Sequence, residues 1–388
     1  MAYETTQVVK IKLKAAQKPK VEQAYGNVRY AYNFALSVWD AAYDEWCADS
    51  TKPKPNISYS DIDSWWTLNR PDFTKLSCRA SQTRAFKNAE RAYMLFFDSQ
   101  HRPEGQKKNK HPKLHKKGVH ESCYFTNYKV QIKGKYIQIP LIGWVEMSEP
   151  IKINGKLQNF VLKRHHGEDY IHFHFVCEDY RPKGTPRPGS VVAVDVGLKT
   201  PATAVNDLGE VFTLHMPDTV KALTRRIKHE QRILSRRHKG SKRWRRQKKK
   251  IQRLYQRKHN IKKDATNKFT SSLTKSHETV ITETIRCTNM LKAGNKALKR
   301  AMTESCMCDI IKQLDYKAHR HESVQEYDPS SKRCSSCGHI KTSLSLNDRI
   351  YICDNCGFTL DRDENAARNL LHSGVGSPSV LVESIATP

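Results

Sequence analysis

The sequence predicts an α+β chain of several domains, on three patterns. Blocks of period-two alternation read as strands, and runs with an apolar residue every three or four positions read as amphipathic helices. Late in the chain, two CxxC pairs have the spacing of a metal knuckle. The 388 residues leave room for two to four compact units.

Residues 7–14, QVVKIKLK, alternate apolar and basic and predict a strand. Val21, Tyr25, Val28, Tyr32 and Leu36 then recur at helical spacing. Residues 52–58 carry two prolines and predict a loop, and Phe86, Ala89, Tyr93 and Phe96 mark another helix. The stretch 101–120 is basic and poor in apolar residues, which suits a loop lying on a polyanion. From 128 the period is two. YKVQIKGKYIQIP predicts a hairpin turning at Lys133-Gly134, and NFVLKRHHGEDYIHFHFV a second turning near Gly167. A β unit therefore brackets a helical insertion. RPKGTPRPGS (181–190) holds three prolines and two glycines and reads as a domain linker.

After the linker, VVAVDVGLKTPATAV, the turn NDLG and EVFTL predict three short strands in hairpin order. Residues 219–276 are helical in pattern and very basic, TVITET (279–284) is a buried strand, and 291–317 are helical. SVQEY (323–327) predicts a further strand, AARNLL a short helix, and the Ser-, Gly- and Pro-rich tail from 374 is expected to be disordered.

The formal net charge of +29 repels itself unless a polyanion neutralises it, so nucleic acid is the leading partner. Twelve Phe, sixteen Tyr and six Trp supply true cores, unlike a basic disordered tail. No apolar run reaches the roughly 18 residues of a membrane span. MAYETTQVVKIKLK lacks the apolar stretch of a signal peptide. The expected place is the cytoplasm, on nucleic acid, where thiols stay reduced. The eleven cysteines then read as metal ligands or core residues rather than disulfides.

Cys334-Ser-Ser-Cys337 and Cys353-Asp-Asn-Cys356 are separated by fifteen residues. Such a pair of knuckles places four thiolates around one zinc ion, with Gly338 and Gly357 at turns that need positive φ. A four-thiolate shell leaves no open coordination position, so this zinc is structural and any hydrolysis happens elsewhere.

Three acids stand out. Asp195 ends the apolar run VVAV, Glu283 ends TVIT, and Asp363 lies at the start of AARNLL. Singly, each has an ordinary reading as a turn, strand-end or helix-capping acid. Together, carboxylates at the ends of β elements in a basic chain suggest one cluster for Mg²⁺ or Mn²⁺, acting on a phosphodiester. Their order matches an RNase H-type layout. Gly197, two residues on, is expected to let a substrate backbone approach.

The segment 225–263 holds nineteen Lys and Arg against one acid, Glu230, with a break at Gly240-Ser241. It reads as two helices with broad basic faces. Arg225, Arg236, Arg237, Lys239, Lys242, Arg243, Arg245, Arg246, Lys249 and Arg253 are the expected phosphate contacts. His172 and His174 fit the solvent face of a strand better than a metal site. Trp65-Trp66 suit base stacking or plain packing, and Cys306 and Cys308 read as ordinary core or surface residues.

At these residues the chain resembles the TnpB (OrfB) family of transposon-encoded proteins, relatives of type V CRISPR effectors. VAVDVGLKTPATAV resembles the family's first RuvC motif, VITETIRCTNM the second and DRDENAARNLL the third; they put Asp195, Glu283 and Asp363 at catalytic positions. SSKRCSSCGH and YICDNCGFTLDRD resemble the zinc ribbon set before the third motif. GNVRYAYNFAL resembles the family's N-terminal helix, and HKGSKRWRR its basic hinge. The second motif departs from the pattern with Thr284-Ile285 where Asp-Leu is common, and residues 40–80 match nothing in it.

The resemblance implies a split β-barrel wedge domain (1–35 and 111–185) around a helical recognition domain (36–110). An RNase H-like (RuvC) nuclease domain (190–330 and 360–373) would then be interrupted by a zinc ribbon (331–359) that binds target nucleic acid. It implies a guide RNA from the transposon's right end, double-stranded target DNA beside a short motif, cleavage of both strands and a monomer. Base pairing would read most of the sequence. Two other readings are a nuclease-silent RNA-guided repressor, which would be expected to lack the acids, and a transposase that joins ends. For the latter, His165-His166 adjoin instead of flanking an apolar residue.

Overall fold

In the computed structural model the chain divides into two compact units, Met1–Tyr180 and Arg181–Pro388. The structure describes residues 3–374 except 50, 76–77, 105, 129, 166, 179–183, 325–328 and 346–347.

The first unit runs β1 (Tyr3–Lys12), α1 (Gln17–Ala48), α2 (Tyr59–Asn69), α3 (Asp72–Lys75), α4 (Arg79–Gln100), β2 (Ser122–Thr126), β3 (Ile132–Lys133), β4 (Tyr136–Ile139), β5 (Gly143–Met147), β6 (Lys156–His165) and β7 (Glu168–Cys177). Its strands form one antiparallel sheet in the order β2-β6-β7-β1-β5-β4-β3. Alternation decides the faces: Val9 and Ile11 are buried while Lys10 and Lys12 are not. Gly134 and Gly167 take positive φ at the two turns expected from the sequence. The strands β2 and β5 were not among the expected ones, although Cys123 and Phe125 alternate inward in the first. His172 and His174 do lie on the more exposed side of β7, with Ile171, Phe173 and Phe175 buried between them.

Helix α1 serves two cores. Val21, Ala24 and Tyr25 pack with the sheet residues Phe160, Leu162, Ile171 and Phe173. Further along, Ala31, Leu36 and Trp39 pack with Trp66, Phe86 and Tyr93 of α2 and α4. The expected division at 35/36 therefore falls inside one continuous helix. In 40–80, where no pattern was legible, α2 opens with a capping box: Ser58 accepts from the Asp61 N–H, and Asp61 accepts from the Ser58 N–H. Of the tryptophan pair, Trp66 is buried and donates to Gln82, while Trp65 is half exposed and stacks on Phe34. The segment 106–117 is a loop pinned by its backbone, with Asn109 donating to Ser99 and His115 to Asn33; Lys107, Lys108, Lys110, Lys113, Lys116 and Lys117 all stay exposed.

The second unit runs β8 (Arg187–Asp195), β9 (Ala202–Asn206), β10 (Val211–Leu214), α5 (Asp218–Ser235), α6 (Lys242–Ser276), β11 (His277–Glu283), α7 (Cys287–Ala293), α8 (Lys296–Ser305), α9 (Met307–Lys317), β12 (Arg320–Val324), β13 (Ile350–Ile352), β14 (Thr359–Asp361) and α10 (Arg362–Gly374). Five strands form a sheet in the order β10-β9-β8-β11-β12. The strands β8, β11 and β12 are parallel, and β9 and β10 antiparallel. One face, with Val192, Val194 and Val280, packs on Leu273 of α6 and Ile310 and Leu314 of α9. The other, with Ala193 and Ile281, packs on Leu370 and Leu371 of α10.

The linker is shorter than 181–190: its first three residues lie outside the described ones, and Arg187 already pairs with His277 in the sheet. Pro188 and Gly189, the latter at φ +72°, sit where the β8–β11 register shifts, so they mark an irregular strand start rather than a tether. The helical run 291–317 is broken by Gly294, by Asn295 capping α8, and by Cys306 at φ +60°. Of SVQEY, 325–327 lie outside the described residues, as does the tail from 375. Among the described residues no helix is long and apolar enough to cross a membrane.

Candidate active site and zinc centre

The two strand acids meet by register. Thr282 of β11 lies opposite Val194 of β8 in parallel pairing, so the next pair along is Asp195 and Glu283. Adjacent strands stand about 4.8 Å apart. Period two fixes the face: Asp195 shares a side with Ala193, and Glu283 with Ile281, and that side is covered by α10. On α10, Asp363 precedes Leu370 by seven residues, two helical turns, and so lies on the same stripe. Three carboxylates separated by 88 and 80 positions in the sequence thus converge at one end of the sheet.

The electrostatics record this convergence. The Asp195 carboxyl is pushed up to about 7, first by burial and then by the negative charges of Asp363 and Glu283, with Arg362 opposing. Of the three acids at the start of α10, it is Asp361 that caps the helix: its Oδ1 accepts from the N–H groups of Asp363 (2.9 Å) and Glu364 (3.2 Å). That leaves the Asp363 carboxylate outside the capping role; its Oδ2 lies 4.0 Å from Arg349 Nη1. Gly197 is required by its own loop, because a Cβ there would meet the Thr200 carbonyl oxygen at 2.6 Å.

The cysteines form a tighter group. The Sγ atoms of Cys334, Cys337, Cys353 and Cys356 all lie within 4.8 Å of one another, and among the described residues theirs is the group of three or more candidate ligands that does so. The edges Cys334–Cys356 (3.8 Å) and Cys337–Cys353 (3.6 Å) fit a tetrahedron around zinc, whose Zn–S bonds of about 2.3 Å require edges of about 3.8 Å. Two of the four are drawn toward the thiolate: the His339 N–H pulls Cys337 down to about 6 and the Cys356 N–H lowers Cys353, whereas burial raises Cys334 and the neighbouring thiols raise Cys356. Gly338 and Gly357 stand at φ +75° and +71°, as a knuckle turn needs. The acid oxygens are spread more widely than these sulfurs, yet Asp195 is held protonated first by burial and then by the charges of Asp363 and Glu283, and a divalent cation would offset both, so this donor set fits such an ion.

The basic helices break where the sequence placed the break. Gly240 takes φ +87°, and the Ser241 hydroxyl accepts from the Trp244 N–H to cap α6. Leu223 and Ile227 of α5 pack on Leu254 of α6. The lone acid, Glu230, is buried and joins the two helices by accepting from Gln247 (2.5 Å) and Lys250 (2.6 Å). Nine of the ten expected phosphate contacts are exposed. Arg237 is the exception: half-buried, it donates to the Arg243 carbonyl at 2.7 Å and so braces the hinge. Lys258 and Lys262 are buried on Glu304 and the Thr303 carbonyl, which withdraws them from the basic face.

A polar seam joining the ribbon to α10 was not foreseen. Asn365 and Asn369, one turn apart and both buried, bond the backbone of 330–335. Two asparagines at i and i+4 inside a short helix, where Asn is a poor helix former, are the sequence signal that could have exposed it.

Residues 174–294 match the family model OrfB_IS605, described as "Probable transposase", and 309–370 match the Cas12f1-like TNB domain. The chain is 26% identical over 379 residues, covering 92% of it and 89% of the relative, to the "Putative RNA-guided DNA endonuclease InsQ" of Escherichia coli (strain K12). A "Putative RNA-guided DNA endonuclease" of Streptomyces pristinaespiralis is also 26% identical, with 93% and 87% covered. Among solved structures, a Cas12f1 chain in a complex with sgRNA and target DNA has the same fold at TM-score 0.50 and 12% identity, covering 95% of this chain and 98% of that one. With the acid motifs in order and the cysteine knuckles before the third, the chain is similar to TnpB (OrfB) proteins over nearly all of its length.

Proposed function

We propose that this chain is an RNA-guided DNA endonuclease of the TnpB type. The observation that carries the reading is the convergence of Asp195, Glu283 and Asp363 on one side of a five-stranded sheet, in a unit whose helices present exposed Lys and Arg. The strand order of that sheet, third-second-first-fourth-fifth within the unit, supports an RNase H-like (RuvC) nuclease domain. Asp195, Glu283 and Asp363 would hold Mg²⁺ or Mn²⁺, which when bound activates water and stabilises the leaving oxygen of a phosphodiester.

The chain's own residues do the rest. Burial and like charge favour a proton on Asp195, so a cation at the three carboxylates competes with that proton and binds fully only once Asp195 ionises. The face of α5 and α6 that carries Arg225, Arg236, Lys239, Lys242, Arg243, Arg245, Arg246, Lys249 and Arg253 contacts phosphates, which position but do not read sequence. The exposed lysines of the 106–117 loop are a second phosphate-binding surface. The cysteine quartet holds one structural zinc and shapes a ribbon for target nucleic acid. A guide RNA from the transposon's right end supplies specificity by base pairing next to a short motif, and the protein acts as a monomer.

The experiment is cleavage of a guide-matched duplex by purified protein with its copurified RNA, Mg²⁺ and either the native chain or Asp195→Ala. Cutting by the native chain alone is the expected result. Equal cutting by Asp195→Ala refutes the site, and joined strand-transfer products would point to a transposase.

A further inference from the structure

We propose that Asn365 and Asn369 are positioning residues, a pair of buried amides through which the zinc knuckle fixes where Asp363 stands. Asn365 Nδ2 donates to the Arg333 carbonyl at 2.7 Å, and its Oδ1 accepts from the Ser335 N–H at 3.0 Å. Arg333 and Ser335 flank the zinc ligand Cys334, so one side chain brackets that ligand from both sides. Asn369 Nδ2 donates to the carbonyls of Ser330 and Arg333, each at 2.7 Å. Both side chains are at least 98% buried. Buried polar groups of this kind are costly unless satisfied, and each of these is.

The chemistry selects asparagine. Position 365 must donate to a carbonyl and accept from an N–H at once, which an amide does and a carboxylate or an alkyl group does not. Asn365 lies two residues beyond Asp363 on the same helix, within one rigid turn, so its position sets that of the acid. A second seam closes the other side: the Arg362 N–H donates to the Arg349 carbonyl at 2.8 Å, and the Arg362 side chain to the Ser345 carbonyl at 2.8 Å. An ion shared by Cys334 and Cys337 would hold backbone 333–335 in the conformation that both amides bond. Filling the cysteine quartet and engaging the acid cluster are therefore linked. This inference rests on reading Asp363 as a metal-holding acid.

The test compares the full-length zinc-loaded native chain with Asn365→Ala, Asn369→Ala, Asn365→Asp and Asp195→Asn. Zinc transfer to a chromogenic chelator and Mn²⁺ binding by electron paramagnetic resonance are the two readouts. The alanine variants are expected to give up zinc and bind Mn²⁺ roughly 10- to 100-fold less well, the usual cost of losing a partner behind a metal ligand. Asn365→Asp should resemble Asn365→Ala, since it cannot donate to Arg333. Stripping zinc from the native chain should weaken Mn²⁺ binding, and restoring zinc should restore it; this arm decides the matter should the variants fail to fold. If Mn²⁺ binding is the same in Asp195→Asn as in the native chain, the acid-site reading fails. If it depends on Asp195 but is indifferent to zinc and to both amides, the clamp is overturned.

Discussion

Asp195 keeps its proton up to about pH 7 in the cation-free protein, because burial and two neighbouring carboxylates penalise its charge. The sign of the consequence follows from linkage. The folded pKa is raised above the ordinary value near 3.9, so the contribution to stability is full below that value and is lost as pH rises through about 7. Thermal unfolding of zinc-loaded protein without added Mg²⁺ should therefore show a component that weakens between pH 4 and 7, and Asp195→Asn should remove it. Cleavage should run the other way, falling as pH drops below 7 because protons compete with the cation; a pH-independent Mg²⁺ midpoint between pH 5.5 and 8 would contradict this. Asp195→Ala should lower the cleavage rate by at least 10³-fold, about 4 kcal/mol of barrier. Gel-shift binding of guide RNA and target should persist. Retained cutting, or lost binding, counts against the assignment.

At the scale of elements, the α5–α6 hairpin depends on one buried acid. Glu230→Ala leaves the Gln247 amide without its carboxylate partner and should destabilise the second unit by about 1–3 kcal/mol in denaturant unfolding, with Glu230→Gln milder. A change within error for the alanine variant would show that the hairpin is held by Leu223, Ile227 and Leu254 alone. The exposed faces predict a different readout: Arg245→Ala and Arg246→Ala should each reduce the salt slope of nucleic-acid binding by about one, whereas Arg237→Ala should act through the hinge it braces. Much of this was legible beforehand, because period and capping are local. The hairpins at Gly134 and Gly167, the three strands after 187 and the break at Gly240-Ser241 all follow from neighbours in the chain. What was not legible depended on distant partners. Nothing near Asn365 announces the Arg333 carbonyl, and nothing near Lys258 announces Glu304. The acids themselves were legible as candidates from strand-end position and family likeness, but their shared face needed the β8–β11 register. In 40–80, a short helix with two adjacent tryptophans gives no clean period, although the Ser58–Asp61 box was there to be read.

For the whole molecule, two units with separate cores are held without disulfides: the cysteines of the described residues are all free thiols. The ribbon is small, with a core of Cys334, Tyr351 and Cys353 supported by Leu344 and Phe358, too little to order its chain unaided. Zinc removal, or Cys337→Ser, should abolish protection of ribbon amides in hydrogen exchange while the sheet amides of β8 and β11 remain protected. Loss of protection in both at once would mean that the ribbon and the sheet unfold as one. The strand β1 has a consequence of its own. It is the earliest element of its unit to be synthesised, yet it sits in the middle of the seven-stranded sheet, hydrogen-bonded to β7 and β5. During translation it has no strand partner until β5, about 130 residues further along, has been made, and its longer partner β7 is complete only at Cys177. For those seconds its Val8-Val9-Lys10-Ile11 edge is open to strangers, and the alternating lysines are what discourage them.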